Sequence, residues 1–192
     1  MATPQLYKTT GIILKRNNSG EGDKIITVLS EHLGKKRFIG KGVRKINSKR
    51  SGHIELFSKT DFLLHRGKTL DYITGATALI FYGSSYQTLA QVAAVYAACE
   101  VIDRLIMEGG EHDEAYFLLD GFLSDMMTID RQRISFRLLT FTDDLLIMLG
   151  YKRKEAKSPS LGNSLAAVEH VIERKVRSTN LLLRSGIELY KQ

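Results

Sequence analysis

Eight basic residues and no acidic one lie between Lys35 and Arg50, in the run KKRFIGKGVRKINSKR. Lys35, Lys36, Arg37, Lys41, Arg44, Lys45, Lys49 and Arg50 repel one another, and a polyanion that neutralised them would remove that cost. Affinity for nucleic acid comes largely from such neutralised phosphates and the counterions they release. Single-strand binding also needs flat side chains on which bases stack. Phe38 lies inside the run, while Tyr7, Phe57, Phe62 and Tyr72 lie elsewhere in the expected barrel. Phe57 and Phe62 are expected in the core. No fixed aromatic motif accompanies the charge, so sequence-specific readout is not indicated. Gly40 and Gly42 would let backbone approach a phosphate, and serve equally well as strand bends. Lys15, Arg16, Lys24, Arg66 and Lys68 extend the cationic track if their strands lie alongside. The plain alternative is a solvated charged face.

Other chemistries find little support. GKGVRK lacks the GxxxxGK[ST] spacing of a P-loop, and Gly20-Glu21-Gly22-Asp23 reads as a hairpin turn. The histidines at 32, 53, 65, 112 and 170 are scattered without metal-ligand spacing. Asp143 and Asp144 are adjacent in sequence, but successive helical residues diverge by ~100° and do not face one another. Glu111, Asp113 and Glu114 suit a helix start, where the helix dipole favours acids. Cys99, the one cysteine, excludes an intrachain disulfide and a multi-cysteine zinc site, and its small-residue surroundings predict a core thiol. No nucleophile–base–orienter set is present, so no catalytic residue and no cofactor is expected.

The elements that must position the cations follow from hydrophobic period. The charge is itself divided: residues 1–80 carry fifteen Lys or Arg against six Asp or Glu, and residues 81–192 carry thirteen against fifteen. The formal net charge of +7 is therefore an N-terminal property. Short strands are predicted at Thr10–Arg16, Lys24–Ser30, Lys36–Val43, His53–His65 and Leu70–Thr77, broken by NNSGEGD, EHLGK and RGKT. In the third strand Arg37, Ile39 and Lys41 share one side, and Lys36, Phe38 and Gly40 the other. Arg44–Gly52 is a loop or a short helix. Five strands with an insertion after the third match an OB-fold barrel, and strand count alone would equally admit an SH3-like barrel.

From Ser84 the period becomes helical. A first helix with small residues at Ala90, Ala93, Ala94, Ala97 and Ala98 is expected to stop at Gly109-Gly110. Others are predicted at His112–Met127, Arg131–Leu149 (stopping at Gly150), from an Asn163 or Ser164 cap to Lys175, and at Asn180–Tyr190. Tyr151–Gly162 reads as a charged loop. The expected class is α+β: a mainly β N-terminal domain over 1–80, then an all-α helical bundle over 81–192. With 43% hydrophobic residues the chain can bury a core, no apolar run reaches the ~18 residues of a membrane span, and the N-terminus lacks signal-peptide character. A cytoplasmic protein with no membrane partner is the simplest reading.

Several segments resemble one family. TTGIILKRNNSGEGDKIITVLSEHLGKKRFIGKGVRK, then SKRSGHIELFS, then HRGKTLDYIT, and near the end KVRSTNLLL, follow the order seen in the bacterial RecO family of DNA repair and recombination mediators. The resemblance implies an N-terminal OB-fold and a C-terminal helical domain. It implies binding of single- and double-stranded DNA, annealing of complementary strands, and help in loading RecA onto strands coated by single-strand binding protein in the RecF pathway. Its implied partners are RecR and the acidic tail of single-strand binding protein, with Lys152, Arg153, Lys154, Lys157, Arg174, Lys175 and Arg177 as candidate peptide contacts. A nucleoid-associated, non-enzymatic role follows. Many members carry a four-cysteine zinc site after an LGY segment. Here Leu149-Gly150-Tyr151 is followed by KRKEAKSPSLGNS, so loop 151–163 stands in place of the zinc insertion and no metal is expected. A general RNA or single-strand-binding OB protein is the alternative. A nucleic-acid enzyme with an unrecognised site is a third reading. An anionic-lipid binder is disfavoured because no strongly basic amphipathic helix is evident.

Overall fold

The computed structural model describes residues 5–43, 51–110 and 112–190. The described chain forms two compact units: one holds the strands together with Glu108–Tyr116, the other Ser85–Met107 and the chain from Phe117 onward. The first is a closed barrel in the order β1-β2-β3-β5-β4, made from β1 (Leu6–Ser19), β2 (Asp23–Ser30), β3 (Gly34–Gly40), β4 (Ser58–His65) and β5 (Asp71–Phe81). All pairings are antiparallel except β3 with β5, where Phe38 and Ile39 lie opposite Asp71 and Tyr72. That is the five-stranded OB arrangement, in which closure leaves no free edge.

Alternation builds the barrel core. Ile26 and Val28 of β2, Phe38 of β3, Phe62 and Leu64 of β4 and Ile73 of β5 turn inward with Ile13, Val43 and Ile54. Each such burial is worth roughly 1.5–3 kcal/mol. β1 breaks the alternation. A bulge between Ile13 and Lys15 lets Ile12, Ile13 and Leu14 all be buried, then returns Arg16 to the inward set. Phe57 and Phe62 are core residues, as expected.

Element ends differ from the sequence expectation in instructive places. Asn17–Ser19, dense in turn-forming types, continue β1 because they pair with Ile25, Lys24 and Asp23. The fourth strand begins at Ser58, not His53. Ser51–His53 form a 3-10 turn, and Phe57 takes a left-handed backbone (φ 64°) while its N–H donates to Ile13 O at 3.0 Å. A one-turn helix α1 (Tyr82–Ser85) follows the barrel.

The second unit is helical: α2 (Leu89–Leu105), α3 (Asp113–Asp125, whose first turn belongs to the first unit), α4 (Ile134–Met148, entered by a 3-10 turn at Arg131–Arg133), α5 (Leu161–Ile172) and α6 (Thr179–Arg184). Thr88 and Gln91 form a reciprocal capping box at the start of α2, and the buried alanines let its neighbours approach. Cys99 is buried there. Desolvation, with Asp103 adding to it, pushes its thiol far above the ordinary range. The helix stops at Leu105, short of Gly109-Gly110, because Ile106 turns extended and Glu108 pairs with Lys35.

The α5 cap is Ser160, whose Oγ accepts the Asn163 N–H at 3.3 Å, not Asn163 or Ser164. Gly162, expected in the loop, lies in the first turn of α5. A Cβ there would fall 2.3 Å from the Tyr190 ring, so a larger residue would displace that exposed ring. The last helix ends at Arg184, not Tyr190.

Candidate nucleic-acid interface

The barrel register turns the linear basic run into a surface. Counting opposite partners round the sheet, Asn17, Ile25, Ile39, Tyr72, His65 and Leu6 form one row. They alternate with inward core positions and so face out. Ile25, Ile39, Tyr72 and His65 are half-buried, giving an apolar strip across four strands. Cations border it. Lys15 and Arg37 stand in the adjoining row, both opposite Thr27. Lys41 follows the end of β3 and places Nζ 4.7 Å from the centre of the Tyr72 ring. Arg66 follows β4 and lies 4.9 Å over the Tyr7 ring, with exposed Lys68 in the same turn. Lys24, opposite Gly40, is partly exposed.

Local hydrogen bonds fix this surface. Asp23 Oδ1 accepts the Gly42 N–H at 2.8 Å and so sets the direction in which the chain leaves β3. Asp71 holds the β4–β5 turn: Oδ1 accepts the Gly67 N–H at 2.9 Å, and Oδ2 accepts a short hydrogen bond from the Tyr7 hydroxyl. Burial raises the Tyr7 pKa first and the Asp71 carboxylate raises it further, so the phenol stays protonated and keeps donating. The Asp71 charge is thereby spent on its own turn.

The predicted residues separate into distinct groups. Lys35 is a correction: it is 7% exposed, its C=O accepts the Gly109 N–H at 3.2 Å, and Glu108 bridges beside it. Glu108-Gly109 runs beside it at the start of β3. Phe38 is a second correction. It is 1% exposed and tilted against Phe62 at 6.0 Å, so it offers no face to a base. Arg37 is exposed and ion-paired, Nε to Glu108 Oε1 at 2.5 Å. Arg16 is tied down by Ile54 O at 2.9 Å and Glu55 Oε1 at 2.7 Å. Lys36 is half-buried, its Nζ near Gly109. Lys41 lies over the Tyr72 ring, Arg66 over the Tyr7 ring, and Lys24 opposite Gly40. Arg44, Lys45, Lys49 and Arg50 lie outside the described residues. The pairing of Tyr72 with Lys41 is what the sequence reading missed; it follows from the parallel pairing of the end of β3 with the start of β5, which needs the register.

In the helical unit the basic loop has a different fate. Lys152 Nζ pairs with buried Asp143 Oδ1 at 2.7 Å, and Ser158 N, Ser158 Oγ and Ser164 Oγ also donate to that carboxylate at 2.6–2.9 Å. Burial alone would raise the Asp143 pKa. These donors outweigh it and hold the carboxyl below its ordinary value. Asp144 is exposed, so the two adjacent acids do diverge. Lys175 pairs with Glu169 at 2.7 Å, and Glu100 accepts the Arg177 and Ser178 N–H groups at 3.1 and 2.9 Å. Among the described residues no group of three or more His, Cys, Asp or Glu side chains is arranged to hold a metal. Among them, too, no helix is long and apolar enough to cross a membrane.

Comparison with known proteins agrees with the architecture. Residues 1–82 match the family model described as recombination protein O N terminal. A protein named DNA repair protein RecO from Roseiflexus sp. is 34% identical over 148 residues, covering 77% of this chain and 51% of the relative. The protein of that name from Dehalococcoides mccartyi is 31% identical over 152 residues, covering 79% and 59% respectively. One from Bifidobacterium longum is 35% identical over 127 residues. The chain thus spans about half the length of the curated relatives it matches.

Proposed function

Because the chain belongs to the RecO family of DNA repair proteins, we propose that it binds DNA through the Tyr72 face of its barrel and serves as a recombination mediator. The observation that carries this reading is the half-buried outward strip of Ile25, Ile39, Tyr72 and His65 on an OB barrel, with Lys41 over the Tyr72 ring and Lys15 in the adjoining row. Such a surface tracks a phosphate backbone with its rim and meets bases with its centre.

Function then follows without covalent chemistry. Cations on one face screen the repulsion between two phosphate backbones, so complementary strands can approach and pair. The protein would bind single and double strands, anneal complements, and assist RecA loading onto strands coated by single-strand binding protein. RecR and the acidic tail of single-strand binding protein are its proposed partners, in the cytoplasm and at the nucleoid. For the tail, exposed Arg153, Lys154 and Lys157 remain candidates, whereas Lys152 is committed to Asp143.

The test is binding to a labelled single strand across a salt series. Contact with about four to six phosphates gives a log–log slope near −3 to −4. An isotherm insensitive to salt contradicts the proposal. Competition with RNA of equal length separates it from a general RNA-binding role.

A further inference from the structure

We propose that Asp71, an acid on a surface read as binding a polyanion, is a positioning residue that raises DNA affinity by holding the cationic turn 66–70 in place. This rests on the reading of the barrel as a DNA-binding domain and adds to it the residue that sets the geometry of one cationic element.

By charge alone Asp71 is out of place. It adjoins Tyr72 at the start of β5, and the turn before it carries Arg66 and Lys68 and no acid. A carboxylate there repels a phosphate backbone and opposes binding. The geometry gives it another task. Asp71 stands opposite Phe38, on the inward side of β5, and is half-buried. Oδ1 accepts the Gly67 N–H at 2.9 Å, and Oδ2 accepts the Tyr7 hydroxyl. Tyr7 lies on β1 and packs against the barrel core. The carboxylate therefore ties the turn to the rigid part of the barrel. Hydrogen bonds to an ionised acceptor are about twice as strong as neutral ones, so the tie favours the charged acid.

Both cations of the turn are placed through this tie. The Arg66 N–H donates to Gln5 O at 2.8 Å, which fixes the entry to the turn. At Gly67 the chain folds back closely on itself: a Cβ there would fall 2.0 Å from Leu70 O. Arg66 lies 4.9 Å over the Tyr7 ring, so the side chain that anchors Asp71 through its hydroxyl carries Arg66 on its face. Arg66 acts from that place, with no contact to give up. Lys68 is exposed in the middle of the turn. Without the carboxylate the Gly67 N–H loses its acceptor and the turn can spread. Its cations would then have to be ordered at the moment of binding, at a cost in conformational entropy that the native turn has already met in folding.

Charge and position predict opposite signs. Binding of oligo(dT) of about fifteen nucleotides is followed by anisotropy across a salt series, with folding of each variant checked by circular dichroism. Asp71→Asn removes the charge but keeps an oxygen for the Gly67 N–H, and should bind about twofold to fourfold more tightly. Asp71→Ala removes charge and acceptor together. It should bind about threefold to tenfold more weakly than the native chain, with a salt slope smaller in magnitude by about 0.7–1.4, for one or two phosphate contacts. That loss should shrink in a Lys68→Ala background, as coupling through the turn requires. Tyr7→Phe keeps the ring under Arg66 and changes no charge at neutral pH; it should weaken binding about twofold. Asp71→Ala binding at least as tightly as the native chain overturns the positioning role and leaves DNA binding intact, as does Asp71→Asn binding as weakly as Asp71→Ala. Should Asp71→Ala fail to fold, Tyr7→Phe decides: native affinity and slope in that variant overturn the role. Failure of the native chain to bind the oligomer overturns both readings.

Discussion

Lys41 and Lys152 are the same residue type, each lying in a basic segment that leaves a regular element, yet the fold uses them in opposite ways. Lys41 is exposed and places its ammonium over the face of the Tyr72 ring. Lys152 meets a carboxylate that is itself 3% exposed and already receives hydrogen bonds from Ser158 and Ser164. A charge pair removed from water holds only while it is complete, because either partner left alone is a buried, uncompensated ion. The first lysine therefore keeps an exposed charge, and the second is a structural tie between α4, the 151–160 loop and α5. Basic residues along a sequence mark neither role; the partner does.

Breaking the tie should produce the largest effect. Asp143→Ala leaves Lys152 unpaired and should destabilise the helical unit by about 3–5 kcal/mol, read from chemical unfolding, with DNA affinity per folded molecule unchanged. Loss of DNA affinity in folded Asp143→Ala would erase the contrast between the two lysines.

The same carboxylate gives a pH signature. Its folded pKa lies below its unfolded value of about 3.9, so its contribution is fully present above that value and is lost as pH falls through the lower, folded one. Unfolding free energy of the native chain should drop through this acid window. In Asp143→Asn, which has no such titration, the drop should be shallower; parallel curves contradict the assignment.

Charge changes on the barrel should act on binding and not on stability. Lys41→Glu should weaken single-strand binding about tenfold and reduce the magnitude of the salt slope by about 0.7 for the lost phosphate contact. Lys35→Met should leave affinity within about twofold, since a buried lysine contributes no phosphate contact. Equal losses in the two variants would mean that burial does not sort the run.

The smallest effect concerns Arg37, whose partner Glu108 competes with phosphate. Glu108→Gln should raise DNA affinity by about twofold to fourfold and steepen the slope slightly, while changing stability by under about 1 kcal/mol, as expected for an exposed pair. Weaker binding in Glu108→Gln would show that the pair organises the site instead of masking it.

Much of the barrel was legible because alternation is local. Arg37 and Ile39 face away from Phe38 as their spacing predicts, and Gly20-Glu21-Gly22 and Gly67 fall between strands. Charge division between the two parts of the chain was equally direct. What could not be read is what covers an outward face. Lys35 has the parity of Arg37 but is buried beside Glu108 and Gly109, more than seventy residues away in sequence. Lys152 resembles a surface cation until Asp143 and Ser164 are brought to it by the packing of α4 on α5. Ser160 won the cap of α5 over Asn163 and Ser164 because Ser164 was needed inside, on Asp143. For the site, sequence supplied the cations and suggested Phe38 as the stacking ring. Register instead brings Tyr72, outside the run, beside Ile39 and Lys41 within it.

The most direct test is the salt dependence of single-strand binding, compared between the native chain and the Lys41→Glu, Arg66→Glu double variant. The Tyr72 face predicts a native log–log slope near −3 to −4, reduced in magnitude by about 1.4 in the double variant, with a large loss of affinity. Superimposable salt plots for the two proteins would place DNA binding elsewhere and contradict the account.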